Sequence, residues 1–130
     1  MGIIRDYAST FYEWLKETSG VDVFREPIVF DDDHPQPEEY ITYSADVGNF
    51  KQEMIQSVTI YSKSTGWNHV MDIVDKIEET ITEHGTLIQK EWGNMVIEKG
   101  SPFYQDKPDE DASIRAGYIN FLVTIYQKYV

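Results

Sequence analysis

The stretch Ser57–Gly85, "SVTIYSKSTGWNHVMDIVDKIEETITEHG", is the most telling part of the chain, because one run leaves a strand and enters a helix. Its first part completes "EMIQSVTIYS" (53–62), whose composition is that of a β-strand. Beyond it, Trp67, Val70, Val74, Ile77 and Ile81 recur at alternating spacings of three and four, which places one apolar stripe on a helix. Asp72, Asp75, Glu78 and Glu79 fall mainly on the other faces. Ser64 or Thr65 is expected to cap the start and Gly85 the end.

Working toward the N-terminus, "YITYSAD" (40–46) alternates through Ile41, Tyr43 and Ala45 as a half-buried strand. "VGNF" (47–50) is a turn signal, so 40–62 reads as a hairpin. "VDVFREPIVF" (21–30) has strand composition interrupted by Pro27, the mark of an edge or bent strand. Ile4, Tyr7, Ala8, Phe11, Leu15 and Thr18 make 3–18 an amphipathic helix, with Gly20 placed to stop it. Toward the C-terminus, Gly93-Asn94 lies between two strand-like runs and predicts a hairpin. A polar loop over 100–113 follows, and then a long strand over 116–127 with Ile119, Phe121, Val123 and Ile125 on its apolar face. The order α-β-β-β-α-β-β-β predicts an α+β two-layer sandwich, a mixed or antiparallel sheet covered by two main helices, in a single domain spanning 1–130.

Composition narrows the function classes. The formal charge is −12, and residues 26–39 and 106–111 together hold −9 of it. Wrapping of nucleic acid needs clustered lysine and arginine, so that class is disfavoured. The absence of cysteine excludes disulfides, thiol nucleophiles and zinc–thiolate sites. The N-terminus lacks a signal peptide's apolar run and cleavage site, and no apolar run approaches the ~20 residues of a spanning helix. A soluble, intracellular, acidic domain without a membrane partner is the expectation.

Few residues invite chemistry. "FDDDHPQPEEY" (30–40) is the one carboxylate–histidine cluster, and Asp31, Asp32, Asp33 and His34 offer hard oxygen ligands to a divalent ion. The spacing lacks the alternation, central glycine and distal glutamate of an EF-hand loop, so a solvated loop is the plainer reading. His69 lies on the second helix near Asp72, and His84 suits a helix C-terminus. No third group orients any histidine, Ser101 and Ser113 lack a nucleophile elbow, and "STGWN" lacks the lysine and glycines of a phosphate loop. Neither catalytic residues, nor a metal site, nor a cofactor is expected.

The chain resembles the tail terminator, or tail completion, proteins of long-tailed bacteriophages, which also go by minor tail or minor capsid proteins. The resemblance rests on "FYEWL" (11–15), on "SVTIYSKSTGWNHVMDIVDKI" (57–77), and on "EWGNMVIEKGSPFYQDKPDEDASIRAGYINFLVTIY" (91–126) with its R-x-G-Y-I-N-F-x-V ending. It implies a virion protein of the tail or neck, assembled in the host cytoplasm. It further implies a ring, usually a hexamer, that caps the tail tube and supports head–tail joining. Implied partners are other copies of the chain, the tail tube protein and the head-completion protein, with DNA passing through but not specifically bound.

A ring subunit needs two unlike, complementary side surfaces. The acidic residues Asp31, Asp32, Asp33, His34, Glu38, Glu39, Asp106, Asp109, Glu110 and Asp111 are candidates for the lumen or an interface. Trp67, Trp92, Phe103 and Tyr104 are candidates for a subunit contact. The competing readings are a neck or head-closure protein of the same junction, an acidic regulatory module that mimics nucleic acid, and a metal-dependent hydrolase built on Asp31–His34.

Overall fold

The computed structural model describes residues 2–45, 53–109 and 111–128. Helix α1 spans Ile3–Ser19 and buries Tyr7, Ala8, Phe11 and Leu15. It ends where Gly20 turns left-handed (φ 72°) and donates its N–H to the Lys16 carbonyl at 3.0 Å. Strands β1 (Asp22–Arg25), β2 (Glu39–Tyr43) and β3 (Met54–Ser62) follow. Helix α2 spans Asn68–Thr80, and β4 (Thr86–Lys90), β5 (Gly93–Lys107) and β6 (Arg115–Gln127) complete the chain. The expected order α-β-β-β-α-β-β-β and the α+β class both hold.

The six strands form one mixed sheet in the order β1-β2-β3-β6-β5-β4. Only β1 pairs in parallel, with β2; the other neighbours are antiparallel. The last strand, β6, therefore sits at the centre, between β3 and β5. Both helices contribute to the core against one face. Phe11 of α1 stands edge-on to Phe121 at 5.8 Å and to Tyr43 at 5.7 Å, and Trp14 meets Phe121 at 5.5 Å. Val70, Ile73, Val74 and Ile77 of α2 join Val58, Ile60, Ile97 and Ile119 in the same apolar cluster.

Local corrections have physical causes. Trp67 is not part of the buried stripe of α2: it precedes the first turn and is 37% exposed, while Ile73 completes the stripe. Neither Ser64 nor Thr65 caps the helix; the Ser64 hydroxyl accepts the Gly66 N–H at 3.2 Å within its own turn. Gly85 (φ 89°) lies beyond the helix, and Thr86 instead donates its hydroxyl to the Thr80 carbonyl at 2.6 Å. Strand β2 is buried on both faces at Tyr40–Tyr43 rather than half-buried, because loop 26–38 folds back over its second face. There Tyr40 packs against Phe30 at 5.1 Å and stacks on Tyr61 at 4.8 Å.

At the β4–β5 hairpin, Lys90 pairs with Gly93, so Glu91-Trp92 make the turn and Gly93 opens β5. A Cβ there would lie 2.1 Å from the Tyr126 carbonyl, so the glycine serves close strand approach rather than the turn. The polar stretch 100–113 is not all loop either. Strand β5 continues to Lys107, with its register against β6 shifted between Lys99 and Tyr104. The turn expected over 47–50 lies outside the described residues, though β2 and β3 do pair antiparallel.

Candidate functional site

Strand directions bring residues 36–40, 106–109 and 111, from the ends of the two acidic segments, to one end of the sheet. Strand β2 begins there, β3 ends, β5 ends and β6 begins. Lys63 sits at this junction. Its N–H donates to the Glu38 carbonyl at 2.8 Å and its ammonium reaches the Gln36 carbonyl at 3.4 Å. The Ser113 hydroxyl and N–H hold the Asp111 carboxyl below the ordinary carboxylate range, and Lys63 adds a smaller pull. Burial pushes the Tyr40 phenol up, with Tyr61 and Asp109 as smaller contributions. Segments 36–40 and 109–111, some seventy residues apart in sequence, thus share one pole.

The acidic candidates among the described residues have definite places. Asp31 closes its own turn: its carboxylate accepts the His34 N–H at 2.7 Å, and its N–H donates to the His34 carbonyl at 2.9 Å. That turn leaves Asp32 and Asp33 exposed along the β1 flank. Glu39 pairs with His69 Nδ1 at 3.1 Å and so ties β2 to the first turn of α2. Asp106 accepts the Tyr104 hydroxyl at 2.8 Å, which together with burial pushes that phenol up. Asp109 accepts the Asp111 N–H at 2.9 Å. Glu110 lies outside the described residues. Among the described residues, no three histidine, aspartate or glutamate side chains gather into a metal-binding set.

The aromatic candidates divide. Trp67 lies at the acidic pole with the Arg115 guanidinium over its ring at 5.7 Å, and Arg115 also donates to the Thr65 carbonyl at 2.7 Å. Trp92 is half-buried and donates its indole N–H to Thr10 at 3.2 Å. Phe103 packs on Phe121 at 6.1 Å, and the Tyr104 ring lies against Gly117, where a Cβ would come within 2.5 Å.

Sequence reasoning missed the sheet face away from the core. Lys107 lies 4.8 Å over Tyr118 and 5.8 Å over Tyr61. Burial opposes its ammonium, but the two tyrosines outweigh that and raise its pKa. Farther along, Ile55 (66% exposed), Leu87 (55%) and Tyr126 (46%) stand open to solvent. The signal was in the strand alternation, but the alternation could not say which face the helices leave bare.

The fold is similar to that of a chain in the solved structure of the virion of a native gene transfer agent particle. The match has a TM-score of 0.53 at 12% identity and covers 88% of this chain and 84% of that one. No protein-family model matches the sequence. No curated protein matches it either. Among the described residues no helix is long and apolar enough to cross a membrane.

Proposed function

We propose that this chain is a structural protein of a phage-like particle, a ring-forming tail terminator that caps the tail tube and supports head–tail joining. The observation that carries the reading is the fold shared, over 88% of the sequence, with a chain of a gene transfer agent virion. The distribution of charge supports it. A subunit whose acidic segments converge on one pole can line a passage with carboxylates, and like charge keeps DNA moving instead of bound. The Glu38, Glu39, Asp106, Asp109 and Asp111 carboxylates are assigned to that passage or to the protein stacked above it. The partners are further copies of the chain in a ring, usually six, together with the tail tube protein and the head-completion protein. The working location is the neck of the virion, reached by assembly in the host cytoplasm.

Deleting the gene from the parent genome tests this reading. Tubes of scattered length and heads without tails are expected in electron micrographs, and particles of normal length and joining would overturn it. The same fold likeness also fits a head-closure protein of that junction. Tubes of normal length that fail to join heads would mark that role instead.

A further inference from the structure

We infer that the cleft between the β4–β5 turn and the end of β6 receives the Ile28–Asp33 segment of a second copy of this chain. The inference rests on the ring reading above and names the surfaces that would join neighbouring subunits. The cleft has a volume of about 440 Å3 and is lined by Gln89, Lys90, Asn94, Tyr126 and Lys128, among other residues, with no carboxylate. In a chain of 23 acids and 11 bases this is unusual. The clefts beside α1, along the β1 edge and around Trp67 all include aspartate or glutamate. Lys90 lies 3.8 Å from Glu13, an exposed pair that contributes little. Among the described residues no carboxylate pairs with Lys128.

The complementary surface stands at the opposite edge of the sheet. Beside β1, Val29 is 79% exposed and Ile28 is also open; Phe30 packs inward on Tyr40, and Asp31, Asp32 and Asp33 follow it. An apolar pair leading into three carboxylates matches a cleft whose own lining holds Lys128, the exposed ring of Tyr126 and Lys90, the last shared with Glu13 on the α1 side. Strands β1 and β4 are the two ends of the sheet order, so the two surfaces are unlike and far apart on one subunit. Such a contact is heterologous, repeats head to tail, and closes into a ring when the rotation allows. Two copies that are each net-acidic repel on average, so a contact that sets carboxylates against lysine is favoured.

Sedimentation velocity on the full chain tests the contact. Wild type is expected to self-associate, more weakly as salt rises from about 0.05 to about 0.5 M. Lys90→Glu with Lys128→Glu should weaken association at least roughly tenfold, as should Asp31→Lys with Asp32→Lys and Asp33→Lys. An equimolar mixture of the two variants should recover it, because native loop then meets native cleft and reversed loop meets reversed cleft. Lys76→Glu on α2 is the control, and thermal melts verify that every variant is folded. Variants that assemble like wild type would overturn the contact and leave the ring reading standing. A wild type that stays monomeric at every concentration would overturn self-docking, while the deletion phenotype still decides the tail role separately.

Discussion

Tyr7 of α1 donates its hydroxyl to Gln56 Oε1 of β3 at 2.5 Å, and both side chains are fully buried. The Gln56 amide in turn donates to the Ser44 carbonyl at 2.6 Å and to the Ser57 carbonyl at 3.2 Å. One buried glutamine thereby registers the first helix against β3 and the segment after β2. Tyr7→Phe keeps the ring but removes the donor while the amide stays buried. Chemical denaturation should show a loss of about 1–3 kcal/mol.

Phe121 is the hub of the aromatic core, in contact with Phe11, Trp14 and Phe103. Phe121→Ala should cost about 3–5 kcal/mol, because three rings cannot all close on the void. A shift in denaturation midpoint at constant slope would show the loss is one of stability alone.

Gly93→Ala must place a methyl against the Tyr126 carbonyl at a backbone angle (φ 150°) that side chains avoid. The backbone strain alone is worth ~1–3 kcal/mol, and the β4–β5 hairpin should exchange its amides faster than the rest of the sheet. Gly66→Ala faces open space and should stay within about 0.5 kcal/mol of wild type. Equal losses at the two glycines would contradict the close approach.

Alkaline titration reads the buried phenols. Burial raises the pKa of Tyr40, Tyr43 and Tyr104, and at Tyr104 the Asp106 carboxylate adds to it. The unfolded chain loses these protons near ~10 while the folded chain keeps them. Folded stability is therefore fully present below that pH and falls as pH rises above it. Phenolate absorbance should rise in two phases, the late one coinciding with unfolding.

Arg115→Ala should loosen the acidic pole, since its guanidinium donates to the Ala112 and Thr65 carbonyls and covers Trp67. Faster amide exchange around 63–67 and 111–114 is expected, with roughly 1 kcal/mol lost globally. Unchanged exchange there would mean that the loop is held by other contacts.

Elements with a local pattern are legible in the chain. The apolar stripe of α1 from Tyr7 to Leu15, though not the exposed Ile4 that the spacing predicts in it, the core stripe of α2 and the alternation of β6 each report burial within a few residues of chain. Pro27 marked the strand that became an edge, because a proline cannot serve a central ladder. Where a local signal serves a distant contact, the local pattern misleads. Gly93-Asn94 looked like a turn because glycine favours turns, but Gly93 answers to the Tyr126 backbone across the sheet. Polar residues at 100–107 looked like a loop, but their ladder partners lie in β6.

Where the charges meet is set by the strand order. The order β1-β2-β3-β6-β5-β4 carries Glu38 and Asp111 to one pole, and leaves Lys90 and Lys128 lining a cleft near the β4 edge, with Lys90 also paired to Glu13. Sequence periodicity records which side of an element is buried. It does not record which element lies beside it, because that choice is made by strand pairing between residues distant in the chain.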